Sequence, residues 1–470
     1  MNHPVIFSIR IIRSLILSVI LLSNVSTAQS LKSHSEEYYL DIAEKMSARC
    51  LMDLTGYDWL SELCDIGPRL SGSEKSLEAI YWAEKKLRAI YCDSVWLQPV
   101  MVPHWDRGEI EKGIISQSEY FKGKKLSIAS LGSSIGTPAE GITAEVIEVK
   151  SLDEAKSLGK KAEGKIIFYN RPFDYGLLRT FNGYGSAVDQ RIWGAVEGAK
   201  VGAVGVLVRS ITSKYDNVPH VGVMAQVDSV KAIPGAAIGL IDADFLSDAI
   251  KKEPHLKITL NMDCKNFPDA QSFNVIGEIR GTEFPNEVVV VGGHFDSWDK
   301  GCGAHDDGAP CIQTMEVLDL LKRLNIKPKR TIRCVLFINE ENGTRGGIEY
   351  GKFALESNEI HVAAIESDRG AYTPRGFTVS ADSLTLIKMK SWESLLKPSL
   401  IEYIIAGYGG VDINRIENTK ALIGYDPDNQ RYMDVHHSSN DTFDAVNPRE
   451  MELGTAAIAM LAYLISVEGL

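Results

Sequence analysis

Several absences limit what this sequence can be. It has no Cys-x-x-Cys pair, so neither a zinc ribbon nor a dithiol redox motif is present. It has no long basic run, and acidic residues outnumber basic ones, 62 to 50, which argues against nucleic acid and anionic membrane surfaces as partners. Repeats and low-complexity tracts are missing, so a solenoid or a disordered tether is excluded. After the first thirty or so residues no apolar stretch is long enough to cross a bilayer, and permanent membrane insertion is not expected.

The N-terminus reads as an export signal. Arg10 and Arg13 form a positive start, Ser14 to Leu22 an apolar run, and Ser26-Thr27-Ala28 a small-residue cleavage site. An uncleaved anchor is the alternative, although the run is short for a span. No cysteine follows the small residues, which argues against a lipid anchor. Cleavage after Ala28 makes the mature chain secreted or periplasmic. It also takes the formal charge from −12 to −14, because Arg10 and Arg13 leave. The seven cysteines are an odd count for an exported chain. Cys334 sits in an apolar run and reads as a core thiol, whereas a disulfide among Cys50, Cys64, Cys92 and Cys264 is left open.

The remaining 29–470 is long for one core, and two domains are expected. Residues 35–92 read as amphipathic helices broken at Gly67-Pro68 and Ser71-Gly72-Ser73, followed by a strand from Val95 to Val102. From 287 onward buried strands (Glu287 to Gly292, Thr331 to Asn339, His361 to Ile365, Ile401 to Ile405) alternate with helices at Pro310 to Leu324 and around 347–355, 383–395 and 448–466. That rhythm predicts an α/β/α sandwich on a mostly parallel, mixed sheet, with function beyond the carboxyl ends of its strands. Residues 116–268 differ in character, with short strand candidates and one helical stretch. They are read as a smaller β-rich domain inserted between 29–115 and 269–470.

The chemistry-bearing residues fall where such a sheet would use them. Gly293-His294-Phe295-Asp296-Ser297-Trp298 follows a buried strand; a neutral imidazole is a good metal ligand and Asp296 could orient it, although His-x-Asp alone reads equally as a loop histidine. Asp306-Asp307 stands before a helix opened by Pro310, where two acids can also serve as caps. Strand Thr331 to Asn339 runs directly into Glu340-Glu341. Adjacent carboxylates repel, and a cation reverses that penalty, so one can bind metal while the other acts as base; a solvated turn is the plainer reading. Glu366-Ser367-Asp368 ends a further strand, and His436-His437 lies in a polar loop before the last helix. Each element is weak alone, but five in one chain, four of them at or just beyond predicted strand ends, point to a metal site.

In order, GGHFDSW, GAHDDG, FINEENG, ESDRG and HHSSNDT resemble the co-catalytic zinc exopeptidases of the aminopeptidase and glutamate carboxypeptidase superfamily. Stretches away from these motifs match as well: 131–146, 198–210 and 327–333. The resemblance implies two zinc ions per chain. His294 would bind one, with Asp296 behind it, and Asp306 would bridge both. Glu341 would be a terminal ligand, and Asp368 and His437 would complete the pair of sites. Glu340 would be the general acid/base for a water activated between the metals. Asp412 and His436 are carried as substrate contacts. The inserted segment resembles a protease-associated domain, and a homodimer is implied by resemblance only. Cys302 and His305, both capable zinc ligands, depart from the family pattern, as do Ala309-Pro310 and Gly347.

The implied activity is cleavage of dipeptides or short peptides with free termini. An aminopeptidase of the same family is the enzymatic alternative. A non-catalytic receptor-like relative is the alternative of another class, disfavoured because all five ligands and the base are present.

Overall fold

The computed structural model describes residues 34–470; the expected leader and its cleavage site lie outside them. Eight strands make the larger sheet: β1 (Ser94–Asp106), β2 (Lys265–Ile279), β3 (Phe284–His294), β4 (Arg330–Phe337), β5 (Ile360–Glu366), β6 (Pro374–Ala381), β7 (Tyr403–Ala406) and β8 (Ala421–Pro427). They lie in the order β1-β2-β4-β3-β5-β8-β6-β7. The central four, β4-β3-β5-β8, are mutually parallel; β2 and β6 pair antiparallel to them on either side, with β1 antiparallel to β2 and β7 parallel to β6 at the edges. The mixed, largely parallel α/β sheet expected from the sequence is therefore present.

Strand β3 shows why this sheet needs cover on both sides. Val289 and Val291 point into one apolar core, and Val288 and Val290 into another. Alternate side chains are buried on opposite faces, which is the mark of a strand inside a three-layer sandwich. On the first face lie α1 (Glu36–Asp53), α2 (Thr55–Ile66), α3 (Glu74–Ala89), α4 (Ala309–Arg323) and α6 (Pro448–Glu468), and on the second α5 (Arg345–Glu356). Helix α6 starts at Asn447, whose side chain accepts from the N–H groups of Arg449 and Glu450, with Pro448 in the first turn. It is the one described helix long and apolar enough to cross a membrane, yet its apolar window is 89% buried inside the protein, so it reads as a core helix.

A second eight-stranded sheet is drawn from residues 111–262. Its strands 142–149, 166–169, 205–209 and 235–238 pair in parallel, with helices 152–158, 188–200 and 240–252. The two sheets meet at Trp298, which follows β3 but packs among Leu70, Trp105 and the apolar residues of the second sheet. Gly132 permits this contact: a Cβ there would fall 2.0 Å from the Trp298 ring.

Candidate metal centre

Each of the four central parallel strands sends a polar residue past its carboxyl end. Strand β3 ends at His294, β4 leads to Glu340 and Glu341, β5 to Asp368, and β8 to His436 and His437. Asp306 comes from the loop before α4. Adjacent parallel strands hold these ends side by side, which is how residues distant in sequence reach one spot.

Asp306 is the hub. Its Oδ1 lies 3.2 Å from His294 Nε2, which is 3.5 Å from Asp368 Oδ1. Its Oδ2 lies 3.5 Å from His437 Nε2, which is 3.0 Å from Glu341 Oε2. Two ligand clusters therefore share one carboxylate, as expected of a bridging aspartate. His436 stacks on His437 with ring centroids 3.6 Å apart, and its Nε2 is 3.8 Å from the same Asp306 oxygen. His294, Asp306 and Asp368 form one group of close donor atoms, and Asp306, His436 and His437 a second.

The surroundings fix which ring nitrogen faces inward. His294 Nδ1 lies 3.1 Å from the Asp296 carbonyl and His437 Nδ1 3.1 Å from the Val221 carbonyl, so each Nδ1 carries hydrogen and donates. Both Nε2 atoms then face carboxylate oxygens, a contact that a proton or a metal ion held between them satisfies. Asp306 Oδ2 and Glu341 Oε1 are buried without a hydrogen-bond partner. Buried acceptors left this way are costly, and a divalent cation meets all of them at once. The donors fit a metal of the zinc type, which favours imidazole nitrogen and carboxylate oxygen.

Electrostatics describe the same crowding. Burial, then the charges of Asp368 and Glu341 against the pull of His294, push the Glu340 carboxyl well above its usual range. Burial and Asp306 do the same to Glu341. His294 is pushed up: burial alone would lower it, but Asp307, Asp306 and Asp368 outweigh that. His437 is pulled down to about 3, chiefly by burial.

Asp296 does not act on His294 in the way the sequence suggests. Its carboxylate stands 3.9 Å from Nδ1, while its own carbonyl takes the ring N–H. The carboxylate instead accepts from the Glu340 N–H at 2.9 Å and from the Ser71 hydroxyl at 2.9 Å, pinning the turn that presents both glutamates. Asp412 is buried, 1% exposed, with both oxygens unpartnered, and faces Gly347 across a gap too small for a Cβ. Three backbone N–H groups of its loop donate to Glu366. The two odd residues near Asp306 are not ligands. His305 Nε2 donates to the Ala445 carbonyl and its Nδ1 accepts from Ala371 N–H, and Cys302 faces Cys64.

Four further residues contribute that the sequence does not single out. Asp441 accepts from the N–H groups of His305 and Asp306 and so fixes the hub; it is the Asp of the HHSSNDT motif, whose first part drew the attention. Trp298 Nε1 donates to Glu341 Oε2 at 2.6 Å. From the second sheet, Val221 bonds His437 through both N–H and carbonyl, and His220 Nδ1 donates to the His436 carbonyl at 2.7 Å. Nothing in the local sequence of 220–221 marks that role, because it exists only where two sheets meet.

A small pocket lined by Trp298, Asp306, Glu341, His437, Ser438 and Asp441 among others opens on these ligands. Residues 274–462 match the family described as Peptidase family M28. Carboxypeptidase Q of Bos taurus is 36% identical over 447 residues, 92% of this chain and 92% of its own. Carboxypeptidase Q of Homo sapiens is 38% identical over 412 residues, 87% of this chain and 85% of its own. The chain belongs to peptidase family M28. The solved structure of an M28 peptidase precursor from Shewanella amazonensis SB2B is similar to this M28 peptidase throughout, with TM-score 0.87, 32% identity and coverage of 92% of this chain and 97% of that one. Family and relatives make this M28 peptidase a metallo-exopeptidase.

Proposed function

We propose that this M28 peptidase hydrolyses dipeptides or short peptides with free termini on a pair of zinc ions. His294, Asp306 and Asp368 would hold one ion, and Asp306, Glu341 and His437 the other. The observation that carries this reading is the shared Asp306 carboxylate, with one oxygen toward His294 and the other toward His437. The relatives' name, carboxypeptidase, supports an exopeptidase that needs a free carboxyl end.

Two zinc ions held there would supply Lewis acidity, which lowers the pKa of a bound water and polarises a peptide carbonyl. Glu340 receives the proton of the attacking water and passes it to the departing amine. Asp296 holds the Glu340 backbone during both transfers, and Trp298 keeps Glu341 aimed at its metal. Residues 116–268 act as the inserted domain that walls the cleft, in line with the bonds from Val221 and His220 to the histidine pair. Export, with cleavage after Ala28, is part of the same proposal.

The test is a three-member panel incubated with the zinc-loaded mature protein: a free dipeptide, its N-acetylated form and its amide, with products identified by mass. Cleavage of the free dipeptide alone supports the proposal. Cleavage of the amide but not the acetylated form makes the protein an aminopeptidase and overturns the substrate assignment.

A further inference from the structure

Cys64 lies in the last turn of α2, and Cys302 in the loop that runs from Trp298 to Asp306. Their Sγ atoms are 2.7 Å apart, and both side chains are half-buried, within reach of a small reagent. No other Sγ–Sγ hydrogen bond occurs among the described residues. A disulfide requires about 2.05 Å between sulfurs, so closure asks for only ~0.7 Å of movement shared between two side chains. Cys302 is otherwise well anchored: its N–H donates to the Asp441 carbonyl at 3.0 Å, and its carbonyl accepts from Arg69 at 2.5 Å. The sulfurs are therefore presented to each other by fixed backbone on both sides.

We propose that Cys64 and Cys302 form a disulfide that ties α2 to the loop carrying Asp306. This pairing differs from any within the sequence-derived set of Cys50, Cys64, Cys92 and Cys264, because Cys302 lies outside that set. An exported chain meets an oxidising compartment, where such a bond persists. The inference stands whether or not the peptidase reading does.

The reaction needs an oxidant of the disulfide class, such as oxidised glutathione. The Cys302 thiolate attacks one sulfur of that disulfide, the S–S bond breaks, and one glutathione leaves as a thiolate that takes up a proton. Cys64, giving its proton to solvent, then attacks the Cys302 sulfur and expels the second glutathione. Two protein thiols are oxidised, and one disulfide is reduced to two thiols. The two cysteines suit these roles. The hydrogen bond shared with Cys64 first, and then the Arg69 charge, lower the Cys302 thiol against the effect of burial. The Cys64 thiol is pushed up by its hydrogen bond to Cys302 and by burial.

The test uses the full mature protein, fully reduced, then incubated with oxidised glutathione, denatured and alkylated. The expected result is a mass lower by two hydrogens before alkylation, five of the seven thiols alkylated, and a digest fragment joining Cys64 to Cys302. Alkylation of both residues, or a bond joining other cysteines, would overturn the pairing. A second readout tests the tie itself. Zinc release to a chelator should be several-fold slower from oxidised than from reduced protein, and equal rates would overturn that part.

Discussion

At the residue scale the site depends on which atoms face inward. The carbonyls of Asp296 and Val221 take the Nδ1 hydrogens of His294 and His437, so both Nε2 atoms are committed to the centre. Glu340 is set apart from Glu341, which lies 3.0 Å from His437 Nε2, and Asp296 holds the Glu340 backbone. Glu340→Gln should therefore keep its metal while kcat falls by roughly 10²–10⁴, the range of a lost general acid/base. Wild-type turnover in that variant, read with zinc content measured in parallel, would remove Glu340 from the role. A second titrating residue lies far along β5 from the metal ligands. His361 is buried against Tyr350, and burial, then the Arg333 charge, pull its pKa from 6.5 to about 4. A folded pKa below the unfolded one means the unfolded chain binds more protons between those values. Stability is then fully present above pH 6.5 and is lost as pH falls toward 4. The contribution is on the order of 2 kcal/mol by pH 4.5. His361→Gln should flatten the slope of unfolding free energy against pH across that window, and an unchanged slope would show that the residue is not the source.

At the element scale strands β1, β3, β4, β5 and β7 are readable in the sequence, whereas β2, β6 and β8 are not. Strands β3, β4 and β5 are apolar runs ending in acids or histidine, and both features survive in the sequence as written. Strand β8 (Ala421–Pro427) carries Gly424 and Asp426-Pro427, residues poor in strands, and pairing with β5 and β6 holds it extended. β6, with Pro374 and Gly376 at its start, has the same weak local signal. Candidate ligands are legible because metal chemistry restricts them to a few residue types at strand ends. Their supports could not, since Asp441, Trp298 and Val221 act through hydrogen bonds that span distant segments. Gly132 belongs to this group. Alanine there puts Cβ against the Trp298 ring, and overpacking of this kind costs about 1–3 kcal/mol. Gly132→Ala should lower the melting temperature and, by displacing Trp298 from Glu341, weaken zinc retention in a competition assay. A variant with wild-type values in both would mean that the ring moves aside without cost.

At the scale of the whole molecule, the metal centre belongs to both sheets. The larger sheet supplies every candidate ligand, and residues 191 and 220–221 close over the histidine pair from the other side. That arrangement was not legible in the sequence, where residues 116–268 show no metal chemistry. The most direct test of the account is the zinc content of the folded protein, wild type against Asp306→Ala, with circular dichroism confirming that both are folded. The account predicts two zinc ions per wild-type chain and at most one, weakly held, in Asp306→Ala. A single ion in the wild type, or two in the variant, would contradict a centre built around one shared carboxylate.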